Sequence, residues 1–270
     1  MATGGVPATG GTPPTGGTIS TGGTTGAGCT GSFENIQAVE GQNLCVAKTV
    51  TFNCPSTEWY IDSTEVTNGQ YQAWLDTSPS TLSQTAVCSW NSSFTPSSNW
   101  PPTSSDLAYP VVYVNWCDAY AYCAGVGKRL CGKIGGGSNG YSDYKITSLS
   151  QWYAACSSCG KSGVYPYGDT YQANYCNGYD YWNGNSSTMK TLPVGSLGSC
   201  QSLYLGGVYD LSGNVWEWED SCKGTGAADG CRVRGGGFGD VGSKVACGFD
   251  YGLARSVVGS IDVGFRCCSP

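Results

Sequence analysis

The segment VYDLSGNVWEW, Val208 to Trp218, sets a carboxylate, Glu217, between two tryptophans just after a turn that carries Asp210, Ser212, Gly213 and Asn214. If the last four residues form a strand, Val215 and Glu217 share one face while Trp216 and Trp218 share the other. A carboxylate beside bulky aromatics on a short strand is expected to hold a partner. The second set of residues with chemistry is the cysteines: sixteen of them, with no histidine anywhere in the 270 residues. The missing imidazole removes Ser-His-Asp hydrolysis, histidine-bound iron and most proton-shuttling catalysts. The cysteines run from Cys45 and Cys54 through Cys222 and Cys231 to Cys267 and Cys268 instead of forming two tight knuckles. A disulfide framework in an oxidising compartment is expected over a set of metal thiolates. The close pair in CSSC, Cys156 and Cys159, is read as structural, with a redox motif as the alternative.

The remaining composition narrows the partners. Only 12% of residues are charged and the net charge is -6. Nucleic-acid binding, which needs clustered basic residues, is not expected. Nine tryptophans and 40% apolar content supply material for one large core. Residues 1–31, rich in Thr-Gly-Gly triplets and proline, offer almost nothing to bury and are expected to be a flexible tether, with a single domain over 32–270. No transmembrane segment is expected, because no apolar run approaches the roughly 20 residues that a span requires. Met1 is not followed by a signal-peptide core; export, with possible tethering at a cell surface, is inferred from the cysteines.

The elements that must position these residues are read from their pattern. Leu44 to Phe52 and Glu58 to Val66 alternate as strands. A short helix follows with Thr67 as N-cap and Tyr71, Trp74 and Leu75 on one face. Tyr109 to Trp116 reads as a strand, and the next helix has an inner stripe of Ala119, Tyr120 and Cys123 and stops near Gly125 and Gly127. Ser148 to Cys156 is a third helix, and irregular loops occupy much of the rest. The class is α+β with little regular structure.

In this order, EVTNGQY, YPVVYVNWCDAYAYC, GKRL, QWYAAC, YPYGD, LPVGS, GVYDLSGNVWEW, RVRGGGF and DVGFRC resemble the successive signatures of the formylglycine-generating enzyme family, also called the sulfatase-modifying factor domain. The resemblance covers roughly residues 32–270. It implies a single compact, disulfide-stapled domain related to the C-type lectin fold, with calcium as a structural ion. Calcium prefers carboxylates and turn carbonyls. The family's second calcium site falls on Asp210, Gly213, Val215 and Glu217, the middle two through their carbonyls. The competing reading is a hydrogen-bonded turn capped by Asp210 and Glu217 without an ion. The first site falls on Asn174 and the carbonyl of Tyr175, with Asp180 as a candidate third ligand. The resemblance also implies a Cys123–Cys267 disulfide, while the family partner of Cys156 falls on Gly252, so Cys156 must pair elsewhere or stay free.

The catalytic centre departs from the family pattern. The best-known members oxidise a sulfatase cysteine to formylglycine with copper and oxygen, through two cysteines and a nearby serine. Here Gly237 stands at the serine position, and the first copper cysteine falls on Asp240 or Gly242. Cys247 and Arg255 are the only matches to the family active site. A lone thiolate does not make the two-sulfur site that Cu(I) prefers, so Cys247 is expected in a disulfide. The glycine triplet Gly135 to Gly137 lacks the ending of a phosphate loop. Tyr179, Tyr181 and Trp182, flanked by amides, suit recognition of carbohydrate or peptide, with ordinary loop packing as the alternative. The sequence therefore points to a calcium-stabilised binding or surface module with an unidentified protein or carbohydrate ligand. The alternatives are an active copper oxidase and a purely structural surface protein.

Overall fold

The computed structural model describes residues 33–37, 43–161, 163–203 and 206–270. The expected tether at 1–31 lies outside the described residues. In chain order the strands and α-helices are β1 (Phe33–Gln37), β2 (Asn43–Ala47), β3 (Thr49–Asn53), β4 (Glu58–Asp62), α1 (Asn68–Leu75), α2 (Trp116–Gly125), β5 (Arg129–Leu130), α3 (Gln151–Cys156), β6 (Trp216–Cys222), β7 (Gly230–Arg234), β8 (Asp250–Ala254), β9 (Val263–Phe265) and β10 (Cys267–Ser269). β1 and β2 pair antiparallel; one four-stranded sheet runs β3-β4-β10-β5 and the other β8-β7-β6-β9. This is the α+β arrangement with little regular structure that the sequence implies.

The three helices begin at polar caps. Thr67 accepts from the Gln70 amide while Gln70 returns a bond to the Thr67 N–H, and Asn115 and Asp118 do the same for α2. Ser150 caps α3 through the Tyr153 N–H. On α2 the buried stripe is Ala119, Tyr122 and Cys123. Tyr122 replaces the expected Tyr120, because positions three and four apart share a face; Tyr120 is half-buried, stacked on Trp116 one turn earlier.

Two expected strands are corrected. Leu44 to Phe52 divides at the exposed Lys48, and its halves join different sheets. Tyr109 to Trp116 is no strand: Pro110 makes one isolated bridge, to Thr67, and Tyr113 sits at φ +60°, which turns the chain out of extended geometry. Its backbone instead bonds across to Val66 and Gly259.

The core has two apolar clusters. One gathers Tyr71, Trp74, Tyr122, Trp218 and Phe265 with Cys123 and Cys267; the other gathers Phe52, Trp59 and Trp152 with Cys131 and Cys268. The described disulfides are Cys54–Cys159, Cys88–Cys117, Cys123–Cys267, Cys131–Cys268, Cys156–Cys247, Cys176–Cys200 and Cys222–Cys231. Cys45 is disulfide-bonded as well. Such a density belongs to an oxidising compartment. Cys156 and Cys159 bond to different partners, so CSSC is structural. Among the described residues no helix is long and apolar enough to cross a membrane.

Candidate functional site

Strand β6 presents Glu217 and Glu219 on one face and Trp216 and Trp218 on the other, and nearly all of it is buried. The partner of Glu217 is Arg266. The guanidinium donates from Nε to Oε2 and from Nη2 to Oε1, both at 2.7 Å, and Trp152 Nε1 adds a third bond to Oε2 at 2.9 Å. The remaining donors of Arg266 reach the carbonyls of Asp62 and Tyr209. Two residues along, Glu219 accepts from Arg234 at 3.0 Å and from Ser150 at 2.7 Å. All four charged side chains are fully buried. Sequence reading missed both arginines, although an arginine inside the apolar run Val263 to Cys268 signals a buried carboxylate partner.

The turn before β6 has three residues in the left-handed region: Asp210 at φ +59°, Gly213 at +75° and Asn214 at +63°. At Gly213 a side chain would also collide with the Asn177 carbonyl, so both conformation and space require glycine there. Asn214 ties the turn together, accepting from Asn177 Nδ2 and the Leu192 N–H while donating to Glu65 Oε1 at 3.0 Å. Asp210 Oδ2 accepts from the Gly195 N–H at 2.6 Å.

Glu65, which sequence reading did not single out, is fully buried and its Oε2 has no hydrogen-bond partner. Burial, and then the neighbouring Asp210, push Glu65 well above the usual carboxylate range. Burial pushes Asp210 up to about 6, partly offset by the Gly195 N–H. Glu65, Asp210 and Glu217 thus share one guanidinium, and Glu217 has both oxygens committed to it. Asp210 and Glu65 are left as a buried acidic pair, on which burial favours a proton. Among the described residues no three histidine, cysteine or acidic side chains form a group that could hold a metal ion. At the other expected site, Asn174 and Tyr175 are exposed and Asp180 accepts from the Tyr171 hydroxyl at 2.8 Å.

The segment after β7 holds the positions that the family resemblance assigns to oxidase chemistry and at which this chain is expected to depart from it. Tyr171 lies over Gly242 so closely that a Cβ there would stand 2.9 Å from three of its ring atoms. Tyr165 donates to the Gly242 carbonyl at 3.1 Å. A Cβ at Gly237 would meet Asp262 at 3.0 Å and Trp216 at 3.3 Å. Asp240 accepts from the Gly237 N–H and pairs with Lys244. Cys247 is bonded to Cys156. Arg255 does not face an open groove: it is 3% exposed, donates to the carbonyls of Gly224 and Gly226, and lies over Trp116.

Tyr171 belongs to an aromatic group. Tyr165 and Tyr167 stack at 5.3 Å, Tyr165 meets Tyr171 at 5.5 Å, and Tyr167 meets Tyr175 edge-on at 5.1 Å. Val164 and Tyr175 are exposed beside it. In the loop singled out by sequence, Tyr181 and Trp182 meet edge-on, and Trp182 donates inward to Asn177 at 2.7 Å, while Tyr179 remains exposed.

Residues 16–269 match the family described as the sulfatase-modifying factor enzyme 1-like domain. The chain belongs to the sulfatase-modifying factor family. Among curated members it is 35% identical over 122 residues to the inactive C-alpha-formylglycine-generating enzyme 2 of Bos taurus, covering 43% of this chain and 34% of that protein. It is 32% identical over 178 residues to the Mus musculus protein of the same name, covering 60% of this chain and 50% of that one. The chain thus spans half or less of the length of these relatives. The fold is also that of PvdO from Pseudomonas aeruginosa, with TM-score 0.53 and 19% identity over 90% of this chain and 99% of that one. Cys247, expected in a disulfide, is bonded to Cys156.

Proposed function

We propose that this chain is an exported, calcium-stabilised binding or surface module of the sulfatase-modifying factor family that has lost the oxidase reaction. The observation that carries this reading is the Tyr171 ring over Gly242, next to a Cys247 already committed to a disulfide. Oxidising a thiol with oxygen needs a redox metal on soft ligands and an open position for the substrate sulfur. Here the one matching sulfur, Cys247, is bonded to Cys156, and of the two positions to which the resemblance assigns the other, Asp240 and Gly242, the second lies under the Tyr171 ring. The inactive relatives support the same reading.

The residues proposed to hold calcium are Asp210, with the carbonyls of Gly213 and Val215, and Glu65 as a second carboxylate. Glu217 acts at one remove by fixing Arg266 beside them. When bound, the ion supplies charge neutralisation for a buried acidic pair and holds the turn in place. A weaker ion at Asn174 and the Tyr175 carbonyl rests on the family resemblance. The ligand surface proposed is the tyrosine group at 165–175 with Tyr179, whose ring faces and hydroxyls suit a sugar or peptide. Retention of the chain on immobilised polysaccharide, weakened by Tyr175→Ala and Tyr179→Ala, supports the binding module. Conversion of a Cys-x-Pro-x-Arg peptide to formylglycine in the presence of copper, detected by mass, overturns it in favour of an active oxidase.

A further inference from the structure

The sheet β8-β7-β6-β9 is covered along one edge and open along the other. At β9 the Phe265 carbonyl accepts from the Val66 N–H at 2.9 Å, and a Cβ at Gly264 would stand 2.6 Å from the Val111 carbonyl. At the opposite edge, among the described residues, β8 pairs with β7 alone. Just past that ladder the Arg255 N–H donates to the Asp229 carbonyl at 2.9 Å. Opposed residues of an antiparallel pair alternate between bonded and unbonded, so Tyr251 and Leu253 bond to β7. The N–H and C=O groups of Asp250, Gly252 and Ala254 therefore point outward. The Ala254 carbonyl takes the Val257 N–H. Gly252 is exposed, and among the described residues nothing bonds to its outward N–H or C=O.

Proteins defend an open edge with lysine, proline or a bulge, because its free backbone groups accept a further strand. The sequence of β8, DYGLA, contains neither residue, and its pairing with β7 runs without a shift. Its one charge, Asp250, is already paired with Arg232. The two faces beside the edge differ in chemistry. On one, Tyr251 is 58% exposed with its ring 6.3 Å from that of Trp216, and Val257 is folded back beside it by the bond to Ala254. On the other, the Tyr141 hydroxyl lies 2.6 Å from where a Cβ of Gly252 would stand and makes no hydrogen bond among the described residues. Arg232 holds that ring, with its guanidinium 3.7 Å from the ring centre and two bonds to the Tyr141 carbonyl. Lys223, exposed and in none of the described salt bridges, has its Nζ 5.0 Å from the same ring.

Five residues make a strip about 17 Å long. That is small beside the roughly 800 Å² per partner that a stable interface of two folded proteins buries, so a second copy paired through β8 would be poorly held. A single extended segment needs no more than the strand edge and the pockets beside it.

We propose that β8 takes up an extended segment of a partner protein as an additional antiparallel strand. The residue opposite Gly252 exchanges two backbone bonds with it and points to the Tyr141 face, where an acidic side chain accepts from the hydroxyl close to Lys223. Its two neighbours point to the other face, where apolar side chains pack on Tyr251 and Leu253. The motif recognised is thus apolar, acidic, apolar. The edge shares no residue with the tyrosine group or the acidic turn, and it stands whether or not calcium binds there.

The full chain is titrated with acetyl-Thr-Val-Glu-Val-Thr-amide and with the same peptide N-methylated at its glutamate, which keeps every side chain but loses the N–H meant for the Gly252 carbonyl. The unmethylated peptide is expected to bind about fivefold more tightly or better, the worth of one net hydrogen bond. The Gly252 amide resonance shifts on binding, and its exchange with solvent slows. Tyr251→Thr weakens binding by up to about fivefold, the worth of one cross-strand pair. Lysine in place of the peptide's glutamate weakens binding in the parent chain, and Lys223→Glu removes that preference. No binding, equal affinity for the two backbones, or an unmoved Gly252 amide overturns the proposal. So does a Gly252 amide protected in the free chain at concentrations where sedimentation shows a dimer, which gives the edge to a second copy.

Discussion

Arg266 grips Glu217 at two points, and neither side chain has any exposure to solvent. Removing one partner strands a charge in the interior. Arg266→Leu is expected to cost roughly 3–5 kcal/mol, whereas adding Glu217→Leu to it recovers part of that loss, because the pair is expensive to bury to begin with. Denaturant midpoints of the two single variants and the double variant check this. Additive losses would show that the two groups do not act as a pair.

Calcium is expected to raise the thermal midpoint and EGTA to reverse the rise. At a hundredfold excess over the dissociation constant, the gain is about 2.7 kcal/mol. Glu65→Gln and Asp210→Asn should each weaken the response while preserving side-chain shape. A midpoint indifferent to both calcium and chelator removes the ion from the account and leaves the acidic pair to be neutralised by protons.

Burial pushes Asp118 up to about 7, against the bonds from Asn115 and Asn91 that favour its charged form. The sign follows from proton counting. The unfolded carboxyl loses its proton near its ordinary value of 3.8, while the folded one keeps it to higher pH. Stability contributed by this group is complete below that ordinary value and is lost as pH rises toward about 7, at up to about 1.4 kcal/mol per unit. Asp118→Asn should flatten this slope in a series of denaturant melts, and an unchanged slope assigns it elsewhere.

Placing a cysteine at Gly242 is expected to destabilise the chain by about 1–3 kcal/mol through overpacking against Tyr171. Tyr171→Ala in the same chain should relieve it. If Gly242→Cys is tolerated with Tyr171 in place, the ring is not what closes this position, and a calorimetric melt of three variants decides the matter.

Replacing Cys156 and Cys247 together by alanine opens a link that spans 91 residues. A loss of roughly 2–5 kcal/mol is expected, measured as the shift in denaturant midpoint under oxidising conditions. A double variant as stable as the parent means that the bridge constrains nothing which its neighbours do not already hold.

The sequence was most readable where a local rule governed the outcome. Thr67 announced α1 because a capping hydroxyl and its return bond lie within four residues, and the face of Glu217 followed from the period of a strand. Cys247 was expected in a disulfide because its copper partner was missing, and it is bonded to Cys156. What escaped reading was contact across distance. Glu65 and Arg266 reach the turn at Asp210 from opposite ends of the domain, and no periodicity connects them. Tyr109 to Trp116 misled because its apolar residues are buried by bonds to two remote segments, which a single-sequence pattern reads as a strand. Tyr122 and Tyr120 differ by half a turn of helix, and only the starting point of α2 distinguishes them.

Cys267 and Cys268 stand side by side on β10, and by the alternation of a strand they point to opposite faces, one joined to Cys123 in the first apolar cluster and one to Cys131 in the second. This has a consequence for the order of events in biosynthesis. The two halves of the core are sewn together by residues that leave the ribosome after every other strand and helix described here. The strand that fills the gap between β4 and β5 thus arrives last. The bridges of Cys123 and Cys131 are therefore late events, and these two thiols must be kept from pairing with nearer cysteines until 267 and 268 are in place, whereas short links such as Cys222–Cys231 wait for neither.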